Sequence, residues 1–222
     1  MINSMRKKIK ELNLEINNIF CIGRNYVAHI EELKNEIPSD PLIFTKPNSS
    51  VCFSGESLII PSITKHVDYE VEMVLVVGKT AKNISEEMAQ AYITHVGVGI
   101  DFTARDLQNI AKSKGLPWTL AKGLDTFCAL GNFVPYDPAM MDLKNMDLSL
   151  QVNGELRQNS NTQKMIYNPF YLVSYLSKIF TLSPGDLIFT GTPEGVKQVF
   201  PGDKLEGNLG NRAKISLGVI NS

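Results

Sequence analysis

Short apolar runs separated by turn residues make up most of this chain, and the longest of them predicts a buried β-strand over Val67 to Val77. Side chains alternate along a strand, so its residues divide into two faces. One face carries Glu70, Glu72, Val74 and Val76, and the other carries Val71, Met73, Leu75 and Val77. Because both faces are largely apolar, we expect this strand to be covered on both sides.

The other periodic windows predict several more strands and a few short helices. Strands are predicted at Ile19 to Ile22, Leu42 to Phe44, Val96 to Ile100, Leu187 to Thr190 and Ala213 to Val219. Helices are predicted from Ser85 to about Thr94, from Thr103 to Lys112 and from Pro169 to Phe180. Asn153-Gly154 favours a hairpin between Leu148 to Val152 and Glu155 to Gln158. The pattern lacks a regular βαβ rhythm and predicts a strand-rich α+β fold.

Composition and charge narrow the class further. The 222 residues, 43% hydrophobic and 20% charged, suit one globular domain at 16–222 behind a solvated N-terminal arm at 1–15. Lys+Arg 22 against Asp+Glu 23 gives no basic excess, so no nucleic-acid partner is expected. The three scattered cysteines predict no disulfide framework and fit a reducing cytoplasm. The longest uncharged stretch, Met165 to Ser177, is too short for a membrane span.

Two carboxylates on one face of the long strand are the first candidate chemistry. Glu70 and Glu72 lie roughly 7 Å apart at Cα if the strand is regular, and in a buried site they repel unless a cation joins them. Asp101 ends the next predicted strand and would complete a triangle of oxygens. An all-carboxylate set favours Mg²⁺, Mn²⁺ or Ca²⁺. The alternative is a wet edge, or ordinary ion pairs with lysine or arginine.

A second candidate follows the turn at Gly23. His29 and Glu32 are three residues apart and share a helical face, while Glu31 points elsewhere. A carboxylate on one imidazole nitrogen leaves the other nitrogen available as a base. The alternative is a surface pair without a role.

Six short motifs follow one another along the chain in a recognisable order. They are Gly23-Arg24-Asn25-Tyr26, Glu70-x-Glu72, Asp101 to Gln108, Lys114 to Lys122, Val152-Asn153-Gly154-Glu155 and Thr190 to Val196. Together they resemble the fumarylacetoacetate hydrolase family, and most closely its short acylpyruvate hydrolase and oxaloacetate decarboxylase branch. The resemblance covers roughly residues 16 to 220.

The resemblance implies a mixed β-sandwich roll with short peripheral helices and assigns roles to ten residues. It implies that Glu70, Glu72 and Asp101 bind Mg²⁺ or Mn²⁺, that His29 and Glu32 form a water-activating dyad on a lid, and that Lys122 assists beside the metal. It places Arg24, Arg105, Gln108 and Thr192 near the substrate. Arg105 pairing with Asp106 or Asp101, and Thr192 in an ordinary turn, are the alternatives. The larger family members carry an aspartate ligand where this chain has Ile22.

The activity that the resemblance implies is hydrolysis of small 2,4-diketo acids. The dyad would activate water, and C–C cleavage would release a carboxylate and a pyruvate enolate held by the metal. Oxaloacetate decarboxylation or tautomerisation and 2-hydroxyhepta-2,4-dienedioate-type isomerisation are the alternatives, and a non-catalytic metal-binding homologue is a third. A homodimer is also expected from the resemblance. The apolar segment Phe170 to Leu176 suits either its interface or the core.

Overall fold

The structure, a computed structural model, describes residues 7–32 and 39–222, and in them strands predominate over short helices. The strands are β1 Lys8–Ile9, β2 Leu14–Glu15, β3 Ile19–Gly23, β4 Leu42–Lys46, β5 Val51–Phe53, β6 Ser57–Ile60, β7 Val67–Asp68, β8 Val71–Val77, β9 Ile93–Asp101, β10 Thr103–Ala104, β11 Cys128–Pro135, β12 Asp147–Val152, β13 Glu155–Asn161, β14 Leu187–Phe189, β15 Lys204–Leu209 and β16 Ala213–Asn221. The helices are α1 Val27–Glu32, α2 Glu86–Ala89, α3 Arg105–Lys114, α4 Thr119–Lys122 and α5 Pro169–Ile179.

Two large sheets form the mixed β-sandwich roll that the sequence implies. One has seven strands in the order β4-β3-β14-β8-β9-β11-β5, and the other has five in the order β13-β12-β15-β16-β6. The pairs β3–β14, β5–β11 and β6–β16 are parallel and their other neighbours antiparallel, so both sheets are mixed. The five-stranded sheet packs over β8, β9 and β11, and the helices lie at the periphery.

Strand β8 is buried on both faces, as its sequence predicts. Val71, Met73, Leu75 and Val77 belong to the core shared with the five-stranded sheet. Val74 and Val76 belong to a second apolar cluster on the opposite face of the seven-stranded sheet. The expected single strand over Val67 to Val77 is interrupted at Tyr69 and Glu70, so the chain forms β7 and β8 instead. At this break the backbone N–H of Asp101 donates to the carbonyl of Glu70 at 2.8 Å.

Two glycines in β9 let the second cluster approach the sheet closely. A Cβ atom at Gly97 would lie 2.6 Å from the ring of Phe133, and one at Gly99 would lie 2.6 Å from the ring of Phe189. Gly99 is also the partner of Glu72 in the β8–β9 ladder. The missing side chains at Gly97 and Gly99 therefore make room for these two rings, one of them next to the position that pairs with Glu72.

Two helix predictions were wrong at their ends. The helix opened by Ser85 ends at Ala89, a 3₁₀ turn follows over Gln90–Tyr92, and β9 begins at Ile93. Ile93 pairs with Val77, so sheet pairing overrides the local helical pattern. The helix predicted from Thr103 starts two residues later, because Thr103–Ala104 form β10 against β7.

The N-terminal arm is less solvated than expected over the residues that the structure describes. Strands β1 and β2 form a small hairpin in which Ile9 is buried in the second apolar cluster. Residues 1–6, including Arg6, lie outside the described residues, and a domain boundary at residue 15 stays a prediction. In α5, the residues Leu172, Val173 and Leu176 lie in the core. No helix in the described parts of the chain is long and apolar enough to cross a membrane.

Candidate active site

Glu70, Glu72 and Asp101 meet at one buried point of the seven-stranded sheet. One carboxylate oxygen from each lies within 4.8 Å of those of the others. All three side chains are buried. Adjacent antiparallel strands and the two-residue alternation bring them together, as the sequence predicts. Their role as metal ligands stays a prediction.

Cations and one backbone amide hold the three carboxylates. Glu70 accepts from Arg105 Nη2 at 2.6 Å through Oε1 and from Lys122 Nζ at 2.8 Å through Oε2. The same Lys122 ammonium donates to Asp101 Oδ2 at 2.5 Å. Glu72 Oε2 accepts from the backbone N–H of Gly191 at 2.6 Å. Glu72 is therefore the member of the triad held by a neutral donor.

The surroundings shift the pKa values of the two glutamates in opposite directions. Burial, and then the carboxylates of Asp101 and Glu70, raise the pKa of Glu72 well above its ordinary value. Burial also acts to raise the pKa of Glu70, but Lys122 and Arg105 outweigh it and hold that pKa well below its ordinary value. A divalent cation would relieve the repulsion that Glu72 experiences. The donor set fits Mg²⁺ or Mn²⁺, because every candidate ligand is a carboxylate oxygen.

Lys46 is a buried part of the site that the sequence analysis missed. Its ammonium lies 2.6 Å from Asp101 Oδ1 and donates to the carbonyls of Phe102 at 3.1 Å, Phe127 at 2.8 Å and Lys122. Lysine is among the residues least often buried, so nothing in Thr45-Lys46-Pro47 predicts this position. The side chain closes the inner end of the triad.

Lys122, at the end of α4, lies between two of the carboxylates. Burial acts to lower its pKa, but Asp101 and Glu70 outweigh that effect and raise it. Its Nζ also lies 4.8 Å from the ring centroid of Phe44. Lys122 is therefore held as a charged ammonium at the point where the carboxylates converge.

A narrow cleft opens above the triad. All four predicted substrate residues, Arg24, Arg105, Gln108 and Thr192, line it. Lys112 and Trp118, which the sequence analysis did not assign to the site, line it as well, and Lys112 Nζ lies 5.5 Å from the Trp118 ring centroid. Ile22, which stands where the larger family members have an aspartate ligand, is another lining residue.

Arg105 does not form the ion pairs that the sequence analysis considered as alternatives. Its guanidinium contacts Asp68 and Glu70 instead of Asp101 or Asp106. Asp106 accepts from the Thr64 hydroxyl at 2.6 Å and from the backbone N–H of Lys65 at 2.9 Å. Since Asp106 binds these other groups, Arg105 lies at the cleft with its guanidinium against Glu70.

Helix α1 brings His29 over the cleft. His29 is buried, and its Nδ1 lies 3.5 Å from Glu32 Oε2. Glu32 also accepts from the backbone N–H of Gly195, at 3.1 and 3.2 Å through its two oxygens. Burial acts to raise the pKa of Glu32, but His29 and the Gly195 N–H outweigh it and lower it. His29 and Glu32 therefore lie side by side on one helix, and their role as a water-activating dyad stays a prediction; residues 33–38, which follow them, lie outside the described residues.

Asn25 connects the segments that surround the triad and was also missed by the sequence analysis. Its side-chain amide donates to the carbonyls of Thr190 at 2.7 Å and Tyr167 at 3.0 Å, and its Oδ1 accepts from the Tyr167 N–H at 2.8 Å. Gly191 follows with φ +97°, and a Cβ there would lie 2.6 Å from Asn25 Cβ. Only glycine fits this conformation and this space. The contact directs the Gly191 N–H at Glu72.

The fold and the site together define a class of enzymes in which a mixed β-roll carries a buried carboxylate triad. The chain belongs to the fumarylacetoacetate hydrolase family, since the family model described as Fumarylacetoacetate (FAA) hydrolase C-terminal matches residues 18–219.

Relatives in this family share most of the chain. It is 42% identical over 192 residues to the mitochondrial oxaloacetate tautomerase FAHD1 of Bos taurus, which covers 86% of each protein. It is 44% identical over 189 residues to the mitochondrial oxaloacetate decarboxylase of Dictyostelium discoideum, covering 85% of this chain and 86% of that one. The fumarylpyruvate hydrolase of Pseudomonas aeruginosa, solved with Mn²⁺ and pyruvate, superimposes with a TM-score of 0.88 at 33% identity, covering 100% of this chain and 95% of that one.

Proposed function

We propose that this protein is a divalent-metal-dependent enzyme acting on small 2-keto dicarboxylic acids of the oxaloacetate type, by tautomerisation or decarboxylation. The observation that carries the proposal is the charge of the cleft. Four cationic side chains, Arg24, Arg105, Lys112 and Lys122, line it against the three carboxylates of the triad. A bound divalent cation would leave a positive excess, which a substrate with two carboxylates neutralises better than one with a single carboxylate.

The proposed metal is Mg²⁺ or Mn²⁺, held by Glu70, Glu72 and Asp101. When bound, such an ion supplies Lewis-acid polarisation of a keto oxygen. The Mn²⁺ in the fumarylpyruvate hydrolase supports the choice of a hard divalent ion. With Ile22 in place of a further aspartate, the protein offers three carboxylate ligands.

The chain's own residues would bind the substrate and move its protons. Arg105 and Arg24 would bind carboxylates, and Gln108 and Thr192 would orient the keto group beside them. Lys122, kept protonated by Glu70 and Asp101, would donate a hydrogen bond to the oxygen that gains charge. His29, oriented by Glu32, would move the proton at the carbon next to the keto group. In decarboxylation that carbon loses CO₂ and takes up one proton in its place.

The names of the relatives support ranking oxaloacetate above acylpyruvates, which reverses the order reached from sequence. The test is an assay of oxaloacetate, acetylpyruvate and a hydroxymuconate-type dienoate with Mg²⁺ and with chelator. We expect metal-dependent conversion of oxaloacetate to be the fastest reaction. Faster cleavage of acetylpyruvate would overturn the ranking.

Acylpyruvate hydrolysis is the second candidate, and the His29–Glu32 pair favours it because that pair suits activation of water. Replacing His29 by alanine should then lower hydrolysis by about 10²- to 10⁴-fold while metal binding is retained. Glu32→Gln should show the same direction, and Glu31→Gln on the exposed side of α1 is the matched control. Hydrolysis by His29→Ala within twofold of wild type would exclude the dyad as the base.

We also propose that the protein is a homodimer, as the family resemblance implies. Light scattering of the 24.6 kDa chain at micromolar concentration tests this. A particle with the mass of one chain would contradict it.

A further inference from the structure

Three side chains anchor the guanidinium of Arg105. Its Nε–H donates to Asp68 Oδ2, its Nη1 to Gln108 Oε1 and its Nη2 to Glu70 Oε1, each at 2.6 Å. A guanidinium has five N–H donors, so two are not used by these bonds. Because Arg105 is buried and lines the cleft, those two N–H groups are available to a ligand carboxylate.

Asp68 is the anchor that lies outside the cleft. Gln108 and Glu70 are themselves lining residues, whereas Asp68 lines a separate surface depression on the other side of Arg105. Its second oxygen, Oδ1, lies 2.8 Å from Nε2 of the half-exposed His66. Asp68 therefore holds Arg105 from behind while both of its own oxygens are engaged.

Backbone hydrogen bonds also join the two segments that carry Asp68 and Arg105. Asp68 in β7 pairs with Thr103 in β10, and Arg105 begins α3 directly after β10. The N–H of Arg105 donates to the carbonyl of His66 at 2.8 Å. The backbone of Arg105 is thus held at His66, directly before β7, and its guanidinium is held at Asp68 in β7.

Electrostatics reinforces this arrangement. Burial acts to lower the pKa of Arg105, but Glu70 and Asp68 outweigh it and raise that pKa above its ordinary value. Asp68 and Glu70 together neutralise the Arg105 guanidinium, which Glu70 would otherwise have to neutralise alone. A carboxylate that both orients and neutralises a buried arginine restricts where the remaining donors point.

We propose that Asp68 is a positioning residue for substrate binding, which holds Arg105 so that its two remaining N–H groups meet a carboxylate of the substrate. Asp68 touches no reacting atom and acts only through Arg105. The inference rests on the proposed function in taking that carboxylate to belong to a keto acid.

The first experiment compares Asp68→Ala, Asp68→Asn and wild type in steady-state kinetics on oxaloacetate with Mg²⁺. We expect Asp68→Ala to raise KM about tenfold and to change kcat by less than about threefold, since orientation and not chemistry is lost. Asp68→Asn should recover most of the affinity, because its amide oxygen still accepts from Arg105 Nε–H. The matched control is Asp186→Asn, which alters a buried carboxylate that caps Asn18 and Ser183. It should lower Tm and leave KM unchanged.

The second experiment measures oxalate binding in the presence of Mg²⁺ by calorimetry, with Arg105→Ala and the double variant included. Asp68→Ala should weaken oxalate binding in the wild-type background and have no further effect once Arg105 is absent. Additive losses, or a KM for Asp68→Ala within twofold of wild type, would overturn the inference.

The results of these two experiments distinguish a failure of this inference from a failure of the proposed function. If wild type converts none of the keto acids but binds oxalate through the Asp68–Arg105 pair, the proposed function is wrong and the positioning role is retained. If wild type binds no oxalate, Arg105 faces no carboxylate site and the inference is wrong.

Discussion

The ammonium of Lys46 lies 2.6 Å from Asp101 Oδ1, and both side chains are buried. The same ammonium donates to the carbonyls of Phe102, Phe127 and Lys122. Lys46 therefore neutralises Asp101 from the inner side of the triad, while Lys122 Nζ lies 2.5 Å from the other oxygen, Oδ2. Asp101 is thus the carboxylate of the triad that lies between two buried ammonium groups.

Replacing Lys46 by methionine should strongly destabilise the protein. The change removes a donor from three buried carbonyls, of which that of Phe127 keeps the Phe102 N–H, and it removes one of the two ammonium groups beside Asp101. Breaking a buried pair by removing one partner costs about 3–5 kcal/mol. Urea unfolding in chelator measures the loss. Lys8→Met is the control, because its pair with Glu15 is half-exposed and such pairs contribute about 1 kcal/mol or less. Equal effects of the two variants would contradict the account of Lys46.

Glu72→Gln should stabilise the metal-free protein at neutral and alkaline pH. Because the pKa of Glu72 is raised in the folded state above its ordinary 4.5, the folded protein holds a proton that the unfolded chain releases. The free energy of unfolding of wild type therefore falls as pH rises above about 4.5, by at most about 1.4 kcal/mol per pH unit from this group. Glutamine cannot lose a proton, so position 72 of the variant causes no such decrease in the free energy of unfolding.

Urea unfolding at several pH values between 5 and 8, in chelator, tests this difference. Mg²⁺ should reverse the order, because it stabilises wild type and binds the variant weakly. A gap between variant and wild type that does not grow with pH would contradict the position of Glu72 as the carboxylate without a cation.

Lys112 should make substrate binding sensitive to pH near 8. Burial, followed by the charges of Arg105 and Arg24, lowers the pKa of Lys112 to about 8. The cleft therefore loses one positive charge as pH rises through that value, and KM for oxaloacetate should rise. Lys112→Met should raise KM at pH 7 and abolish the rise. Lys114→Met is the control, since Lys114 lies on the same helix and is exposed. An identical pH profile in Lys112→Met and wild type would exclude this role.

Gly191→Ala should weaken metal binding as well as stability. The new Cβ would lie 2.6 Å from Asn25 Cβ and would move the N–H that holds Glu72. Gly202→Ala is a matched control, because Gly202 has φ +95° and nothing lies within 4 Å of its Cβ position. Both variants should lose the roughly 1 kcal/mol expected for a non-glycine residue with positive φ. Calorimetric titration with Mn²⁺ should show a loss of affinity in Gly191→Ala alone.

Local rules predict the carboxylate triad because its geometry is short-ranged. Alternation places Glu70 and Glu72 on one face, and the next strand along the chain brings Asp101 beside them. The helix prediction through Thr94 failed for the opposite reason. Ile93 pairs with Val77 across the sheet, and that contact is stronger than a helical pattern of a few residues.

Long-range partners were beyond the sequence analysis. Lys46 and Asp101 are far apart in sequence, and so are Asp68 and Arg105; no spacing rule states which buried charges will meet. Asn25 belongs to the Gly23-Arg24-Asn25-Tyr26 motif, but its hydrogen bonds to Thr190 and Tyr167 depend on the assembled roll. Motif order indicated which residues gather at the site, whereas their pairing depends on packing.

Because the Gly195 N–H donates to Glu32, the exchange rate of this one amide proton reports how often α1 separates from the loop after β14. That proton is protected only while the helix lies against the loop after β14, and each separation exposes it to solvent. In deuterated water its exchange rate therefore counts those separations on a timescale of seconds to hours. This exchange measurement requires neither substrate nor turnover. A keto acid or metal that keeps α1 packed against the loop would lower the exchange rate.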